Sequence, residues 1–475
     1  MDRLPSPLPP PAPVSILKIL QTLRELRAYA IAKKVEAAIF YHEEDSYLMR
    51  FANSAISLNT NEHLIRLEIT IFDDKRRASY ELITDLEKMD EMKQGVEIAA
   101  DMVKLAMPLN YQPTIPNYFE SYCDESSYDP ALANLSGEER LSFFNDAVGN
   151  LETDDIKLSG IFSSGTNILA QISTQSEHSQ YFKTSDAQIN MVLSHSGLKW
   201  EVTAEQSAQK KTDLNPGIMY KNLAFLVDRY QHEPAQQIQT GKYDIVFGST
   251  AISDLVSIMN WIGFSGGSLK RGFSFLAEDQ IGKQVLSEKL SLVDDPTYQG
   301  TYPFSRDLMG MPRKPFPLFE KGVFQSFTWF QDDADEFDAQ PTGHTVYHNS
   351  LVLKGNDNDI SSLEELAKMP QENDILYIPF LHYMNIVNPT KGLVTASSRF
   401  GALLFKKDGS IVVPFNVRVT QSLLDIFGEK VAWVSSVQSI NNVSVSYGSR
   451  NPTAIVVPCF MRVNDLEISH SNSSY

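Results

Sequence analysis

Two stretches of the chain share one order of hydrophobic and polar positions. In residues 15–33 apolar side chains recur at three- and four-residue steps, which predicts an amphipathic helix with Ser15 at its N-cap. Runs that alternate apolar and polar residues follow, as in 64–72, and predict strands with one solvated face. Residues 85–106 return to helical spacing. We therefore predict a helix, an antiparallel meander and a second helix in an N-terminal α+β unit at 15–110.

The same order recurs after a loop rich in Pro and Tyr. Ser136 and Glu139 stand three residues apart before an apolar helical pattern, which is typical of a capping box. Alternating segments between residues 156 and 205 predict strands, and helical spacing returns at 217–231. The two stretches share this layout rather than sequence identity. We predict a structural duplication, with a second α+β unit at 111–235.

From about residue 236 the pattern changes to many short β-like runs with few helices. An Asp-Gly pair within 406–410 lies between two apolar runs, which is a strong signal for a β-hairpin. Residues 236–468 therefore predict a β-rich, barrel-like C-terminal domain, and the fold class of the whole chain is α+β. Outside these units we predict a disordered proline-rich leader at 1–14 and a loose polar tail at 469–475.

The C-terminal domain opens with a strand-like run, Tyr243–Phe247, that leads into a helix. Ser249 or Thr250 is placed to cap the first turn of this helix. The apolar residues on its predicted buried face are Ile252, Leu255, Val256, Met259 and Ile262. A strand-to-helix entry is a common place for an active site, yet the helix contains no His, Glu, Cys or Lys, and its one carboxylate is Asp254.

Composition and charge exclude several classes of protein. Of 475 residues 42% are apolar, which is ordinary for a folded protein, and the longest uncharged apolar runs fall far short of the roughly 20 residues that a membrane helix needs. The net charge is −18, from 59 acidic and 41 basic residues, and the basic residues are not clustered as a nucleic-acid surface requires. Two cysteines and the lack of a signal-peptide core favour a reduced, cytoplasmic compartment. We expect neither a nucleic acid nor a membrane as partner.

Several longer segments resemble the TldD/PmbA family, the so-called modulators of DNA gyrase. The resemblance begins with YLMRFANSAISL (47–58) and strengthens at TGKYDIVFGSTAISDL (240–255). It continues through the Ser-Phe-Leu, Ile-Gly and Asp-Asp-Pro series in 274–296 and through NPTKGLVTASSRFGALLFKKDGSIVVP (388–414). The spacing of that series is specific, and the likeness covers most of the chain.

The resemblance implies two kinds of subunit that commonly pair. The TldD kind carries a His-Glu-x-x-x-His zinc motif and hydrolyses flexible peptides, whereas the TldE/PmbA kind lacks the motif and is the partner subunit. When this motif is aligned with the chain, its two histidines correspond to Ser257 and Ile262 and its glutamate corresponds to Ile258. Zinc needs nitrogen, sulfur or carboxylate donors, and a general base needs a titratable group. These three positions are therefore predicted to be non-catalytic, and we expect no cofactor or metal in this chain and zinc in a TldD-like partner.

A different metal site is conceivable at His344 and His348, which are four residues apart. On a helix this spacing would put both on one face. The surrounding sequence is β-like, so the two would lie about 13 Å apart along a strand. His382 could join them only through tertiary folding. This pair remains a fallback hypothesis.

Other acidic and thiol groups favour structural roles. The stretch 331–339 could bind a divalent cation, but it lacks the spacing of a calcium loop and favours a solvated acidic loop. Asp294 and Asp295 precede a proline and indicate backbone capping, with a catalytic carboxylate pair as the alternative. The TldD kind uses a C-terminal Cys as a ligand, but apolar neighbours favour a buried, inert thiol at Cys459. The acidic surroundings of Cys123 argue against a nucleophile.

A flexible peptide can bind to such a protein by adding as a strand to an exposed sheet edge. The sequence suggests two runs for that edge, 272–276 and 392–405. The peptide-edge or structural candidates in and around them are Gly272, Ser274, Phe275, Asp294, Asp295 and Arg399.

The sequence therefore predicts a non-catalytic TldE/PmbA-like subunit. It would pair with a TldD-like subunit that carries the zinc motif, or with itself, and take part in the proteolysis of unfolded peptides. Two alternatives remain open: an active metallopeptidase with an unrecognised site, and a free-standing peptide-binding homodimer.

Overall fold

This computed structural model describes residues 15–232, 234–298, 300–301, 304–345, 349–370, 372–442, 450–451 and 453–471. Contacts within the chain group into two compact units. The first contains the described residues up to Glu43, with Leu64–Cys123 and Ile168–Tyr181, and the second contains Glu44–His63, Asp124–Asn167 and the described residues from Phe182 onward. Each unit is assembled from separate segments of the chain.

The N-terminal half combines long strands with helices. Its strands are β1 (Glu36–Ala52), β2 (Ala55–Asp73), β3 (Arg76–Thr84), β4 (Tyr122–Ser127), β5 (Ile156–Ser173), β6 (Ser179–His195) and β7 (Trp200–Ala208). Its helices are α1 (Ile16–Ala32), α2 (Met89–Leu105), α3 (Pro130–Ala133), α4 (Gly137–Val148) and α5 (Pro216–His232). The strands join in one sheet in the order β3-β2-β1-β5-β6-β4, with β7 paired to β6.

The predicted duplication is confirmed by this order of elements. The sequence α1-β1-β2-β3-α2 is repeated as α4-β5-β6-β7-α5. The predicted caps form as expected, since the Ser15 side chain accepts from the Lys18 N–H and Ser136 and Glu139 form a reciprocal capping box. The alternating run at 64–72 is part of the longer strand β2, because the chain stays extended through polar residues as well as apolar ones.

The core of the first unit lies between its two long helices and the sheet. Helix α1 contributes Ile19, Leu23 and Leu26, all fully buried, and α2 contributes Val96 and Ala99. The sheet beneath them has β2 and β3 paired antiparallel in an unbroken register over residues 65–73 and 76–84. The alternating pattern of β2 therefore places its apolar residues on the helix side, as predicted.

The C-terminal region is rich in strands. They are β8 (Gly241–Gly248), β9 (Ser291–Asp294), β10 (Phe316–Glu320), β11 (Val323–Phe324), β12 (Leu351–Lys354), β13 (Ile375–Ile378), β14 (Phe380–Asn388), β15 (Leu393–Arg399), β16 (Leu403–Phe405), β17 (Ile411–Val412), β18 (Val417–Ser422), β19 (Val431–Val434), β20 (Gln438–Asn442), β21 (Ala454–Pro458) and β22 (Phe460–His470). The helices are α6 (Ser249–Met259), α7 (Gly266–Lys270), α8 (Gln331–Phe337), α9 (Leu363–Lys368) and α10 (Leu423–Phe427). The predicted hairpin is present, with β16 and β17 paired antiparallel across the Asp408-Gly409 turn.

These strands form two sheets in the described part of the chain. One has the order β11-β10-β9-β12-β21-β20, and the other has the order β14-β15-β18-β22-β8-β13-β16-β17, with β19 paired to β22. Neither order closes on itself among the described residues, so the β-rich domain is open where the sequence suggested a barrel. Apolar residues of both sheets share one core cluster with α6, and this packing buries the strands without closure.

Strand β8 and helix α6 form the centre of this domain. Strand β8 pairs in parallel with β13 and antiparallel with β22, so it has neighbours on both sides. Ile245 and Phe247 of β8 are fully buried in the cluster that also takes the apolar face of α6. Among the described residues, no helix combines the length and apolar character needed to cross a bilayer.

Candidate functional site

The entry into α6 is set by Gly248, the last residue of β8. A Cβ at this position would lie 3.0 Å from the Tyr377 hydroxyl and 3.2 Å from the Pro379 Cα, so the close approach of these neighbours favours glycine. Gly248 is also the N-cap residue, and no side chain caps the first turn. The prediction that Ser249 or Thr250 caps this helix is therefore wrong. The hydroxyl of Thr250 is engaged elsewhere, as described below.

The zinc-motif positions on this helix offer no metal donor. Ser257 and Ile258 are half-buried, and Ile262 lies in a π-helical turn, Asn260–Phe264, that follows α6 directly. The Ile262 side chain is 5% exposed and belongs to the apolar core. A hydroxyl and two hydrocarbon side chains do not fit a zinc ion, which takes nitrogen, thiolate or carboxylate ligands.

A polar stripe runs along a different face of the same helix. Thr250, Ser253, Asp254 and Ser257 follow one another at positions i, i+3, i+4 and i+7, which lie on one side of an α-helix. The Thr250 hydroxyl donates to Glu205 Oε2 on β7, at 3.0 Å. The stripe therefore faces β7 at this point.

Glu205 is held from two sides. Its Oε2 accepts from Thr250 of α6, and its Oε1 accepts from the Asn190 side chain of β6. Strands β6 and β7 are paired so that Asn190 stands opposite Glu205. Three separate elements thus fix the position of one carboxylate.

The carboxyls of Asp254 and Glu205 act on each other electrostatically. Burial, together with the nearby charge of Glu205, raises the pKa of Asp254 to about 7. Burial also raises the pKa of Glu205, against the lowering effect of its bonds from Thr250 and Asn190. Yet the Glu205 side chain is exposed to solvent. The carboxylate is thus reached by water although burial raises its pKa, a combination that fits a group in a surface recess.

Neither carboxyl is neutralised by a cation. In the part of the chain that the structure describes, no lysine, arginine or histidine forms an ion pair with Glu205 or Asp254, and no positive charge contributes to their pKa values. Beside them, the Ser253 side chain is 1% exposed, and its hydroxyl has no hydrogen-bond partner among the described residues. The group formed by Asn190, Glu205, Thr250, Ser253 and Asp254 is hereafter called the polar recess.

The second candidate constellation, around Asp294, is a buried ion-pair network. Asp294 Oδ1 accepts from Arg313 at 2.7 Å and from the Ser350 N–H at 2.7 Å, and Oδ2 lies 2.6 Å from His344 Nδ1. The ring of His344 also stacks on Phe316. Burial alone would raise the pKa of Asp294, but Arg313, His344 and Ser350 together hold it below its ordinary value.

Asp294 and Asp295, which the sequence places side by side, have different partners in the structure. Asp294 is buried, whereas Asp295 uses its carboxylate to accept from the backbone and hydroxyl of Thr297, at 2.9 and 2.7 Å. His344 is 2% exposed and directs one ring nitrogen to Asp294, so that nitrogen is occupied. His348 lies outside the described residues.

The two runs suggested for a peptide-binding edge, 272–276 and 392–405, do not form the edge of a sheet in the described structure. Residues 272–276 form a loop in which the Ser274 hydroxyl donates to the Gly263 carbonyl and Phe275 is buried. In 392–405, strands β15 and β16 each pair with neighbours on both sides. The terminal strands of that sheet are β14 and β17, and the pairing of β14 with β15 is interrupted by bulges.

Arg399, at the end of β15, is part of a polar surface group. It forms an ion pair with Glu201 at 2.9 Å and lies 3.5 Å from His382 Nδ1. Burial and the charge of Arg399 lower the pKa of His382. His382 therefore takes part in this group, and no described contact joins it to His344.

The acidic stretch near residue 335 is a helix rather than the predicted loop. Helix α8 places Asp333 and Glu336 at i and i+3, and Arg271 binds both, at 2.8 Å in the case of Asp333. Of the cysteines, Cys123 is exposed and Cys459 is half-buried. Burial raises the pKa of the Cys459 thiol to about 11, as befits an inert thiol.

Comparisons with known proteins agree with this fold. Residues 240–470 match the family model of the PmbA/TldA metallopeptidase C-terminal domain. Crystal structures with the same fold include TldE from Thermococcus kodakarensis, at 15% sequence identity and a TM-score of 0.74 over 95% of this chain and 100% of that one. Two proteins described as candidate modulators of DNA gyrase also match over 95% of this chain, each at 16% identity. The one from Thermotoga maritima gives a TM-score of 0.71 over 100% of its length, and the one from Bacteroides thetaiotaomicron gives 0.75 over 98%. No curated protein matches the sequence.

Proposed function

We propose that this chain is the non-catalytic subunit of a zinc peptidase complex that acts on unfolded peptides, because residues 240–470 match the family model of the PmbA/TldA metallopeptidase C-terminal domain. The observation that carries the proposal is the absence of a metal donor at Ser257, Ile258 and Ile262. Ile262 is packed into the apolar core, where neither zinc nor an activated water would be stable. The zinc and the catalytic base would belong to the partner subunit.

The fold also supports pairing rather than independent catalysis. TldE from Thermococcus kodakarensis has this fold over its whole length, and the sequence resembles the subunit kind that lacks the zinc motif. A subunit without donors can still shape a chamber and hold an extended substrate. Its contribution would be binding and exclusion of folded proteins.

The buried Asp294 network weighs against the alternative of a separate metal site at His344. A zinc-bound histidine uses one ring nitrogen for the metal and the other for a carboxylate or carbonyl. His344 has the carboxylate partner, but it is 2% exposed and stacked on Phe316. We find no second histidine, cysteine or carboxylate that completes a three-donor set there in the described residues.

Affinity purification of the full chain from its native cells tests the proposal. We expect a relative with a His-Glu-x-x-x-His motif to co-purify, and the complex, but not the chain alone, to cleave unfolded peptides in a chelator-sensitive way. Recovery of the chain only as a homodimer would contradict the proposal and favour a free-standing binding protein. Cleavage by the chain alone would favour an unrecognised active site.

A further inference from the structure

The most distinctive feature outside the zinc-motif positions is a pair of carboxyls that lack a cation. Glu205 and Asp254 approach each other from β7 and α6, and each is surrounded by protein atoms. Bringing two carboxyls together in this way opposes folding, since each disfavours the charge of the other. In the described part of the chain no cation offsets this cost, and only the hydrogen bonds from Thr250 and Asn190 to Glu205 reduce it.

We propose that the polar recess binds an ammonium group of an extended peptide, either a lysine side chain or a free N-terminus. The inference rests on the proposed function, in which this chain receives flexible peptides. It adds a chemical preference to that function.

The donors and acceptors of the recess match an ammonium ion. An ammonium group offers three N–H donors and no acceptor. Each oxygen of Glu205 already accepts one hydrogen bond, from Asn190 or Thr250, and carboxylate oxygens can accept a second. Asp254 accepts none from the described residues, and the unpartnered Ser253 hydroxyl lies on the same stripe. An arriving cation would therefore find unused acceptors on two elements.

A metal ion fits the recess less well. Divalent cations such as Ca²⁺ take six to eight oxygen ligands, and several carboxylates usually supply them. No third carboxylate, histidine or cysteine of the described residues lies close enough to Glu205 and Asp254 to complete a set of three. The recess thus suits a single organic cation better than a metal.

The charge of the whole chain favours the same ligand. A net charge of −18 attracts cationic segments and raises their local concentration near the surface. This long-range attraction is not selective for position. The recess would supply the selectivity, because it fixes the ammonium group by short hydrogen bonds.

Fluorescence anisotropy with three designed peptides tests the inference on the full chain. All three are unstructured Gly/Ser sequences of equal length with an uncharged C-terminal dye. The first has one lysine and an acetylated N-terminus, the second has acetyl-lysine and a free N-terminus, and the third has both amines acetylated. We expect the wild-type chain to bind one or both amine-bearing peptides about tenfold or more tightly than the third, the difference of one charge-assisted hydrogen bond.

Two variants locate the effect, and a third serves as control. Glu205→Gln and Asp254→Asn keep the shape of each side chain but remove its charge, and each should abolish the preference for the amine-bearing peptides. Glu467→Gln makes the same change in net charge at an exposed position on β22 and should leave the preference intact. This comparison separates the recess from the general field of the chain.

The possible outcomes are distinguishable. Equal binding of all three peptides by the wild type would overturn the inference and leave the proposed function standing. A preference that survives in both Glu205→Gln and Asp254→Asn would also overturn it. Failure of every peptide to bind would contradict the inference and the proposed peptide-receiving role together.

Discussion

The hydroxyl of Thr250 donates a hydrogen bond to Glu205, 3.0 Å away, and so joins the first turn of α6 to strand β7. Sequence patterns assign the first turn of this helix to a side-chain cap. Instead, Gly248 is the N-cap, and Thr250 turns outward to a carboxylate 45 residues earlier in the chain. The consequence is that Asp254, one turn further along, shares its surroundings with a second carboxyl.

Replacing Asp254 with Asn should stabilise the protein at neutral pH. The pKa of Asp254 is raised to about 7 in the folded chain, so the folded state binds this proton more tightly than the unfolded state does. The cost to folding is therefore absent below about pH 4 and grows as the pH rises to 7. We expect Asp254→Asn to raise the free energy of unfolding by roughly 1–3 kcal/mol at pH 8 and to have little effect at pH 4.

Urea unfolding at several pH values measures this difference. Asp425→Asn is a suitable control, because Asp425 lies in the first turn of α10 and its carboxylate is 3.9 Å from Lys430 Nζ. That substitution should not produce a gain that increases with pH. A gain for Asp254→Asn that is equal at pH 4 and pH 8 would refute the assigned pKa.

Removing Arg313 should be strongly destabilising. Its guanidinium and the Asp294 carboxylate are both nearly inaccessible to solvent, and Arg313→Met would remove the guanidinium partner of this buried charge and leave it only His344 and the Ser350 N–H. Breaking one side of a buried ion pair typically costs about 3–5 kcal/mol. We expect this loss in the free energy of unfolding at pH 7. The exposed pair of Lys368 with Glu364 provides the comparison, since Lys368→Met should cost about 1 kcal/mol or less.

The capping box of α4 should contribute measurably to stability. Ser136 accepts from the Glu139 N–H at 3.1 Å, and Glu139 accepts from the Ser136 N–H at 2.8 Å. Ser136→Ala should lower the free energy of unfolding by about 1 kcal/mol, because it leaves a backbone N–H of the first turn without its partner. The same substitution at the exposed Ser196 should be nearly neutral. Equal effects at the two serines would contradict the assignment of the cap.

The two cysteines should differ in their rates of thiol modification. Cys123 is exposed, whereas burial raises the pKa of Cys459 to about 11, so only about one thiolate in a thousand exists at pH 8. We expect one fast and one slow thiol per chain in a reaction with a chromogenic disulfide. Cys123→Ser should remove the fast phase, and a fast phase that persists in this variant would show that Cys459 is reactive.

The sequence predicts elements well where one local signal dominates. The apolar spacing of 15–33, the Ser136 capping box and the Asp408-Gly409 hairpin all occur where they are expected. Strand ends were harder to locate, because an extended chain in a wide sheet continues through polar residues such as those of β1 and β2. The acidic stretch near residue 335 is helical, and Arg271, which pairs with its Asp333 and Glu336, is distant in the sequence.

The polar recess could not be found from the sequence alone. Asp254 stands alone on its helix, and Glu205 is one polar residue among others in an alternating strand. Their proximity depends on the pairing of β6 with β7 and on the packing of α6, which are tertiary facts. By contrast, the loss of zinc donors at Ser257, Ile258 and Ile262 can be read directly from the residues.

Metal analysis of the purified chain after equilibration with zinc tests the central claim most directly. The account predicts no stoichiometric zinc and no chelator-sensitive cleavage of unfolded peptides by the chain alone, because the side chains at the three motif positions cannot bind the ion. One zinc ion retained per chain, together with peptide cleavage that a chelator abolishes, would contradict it.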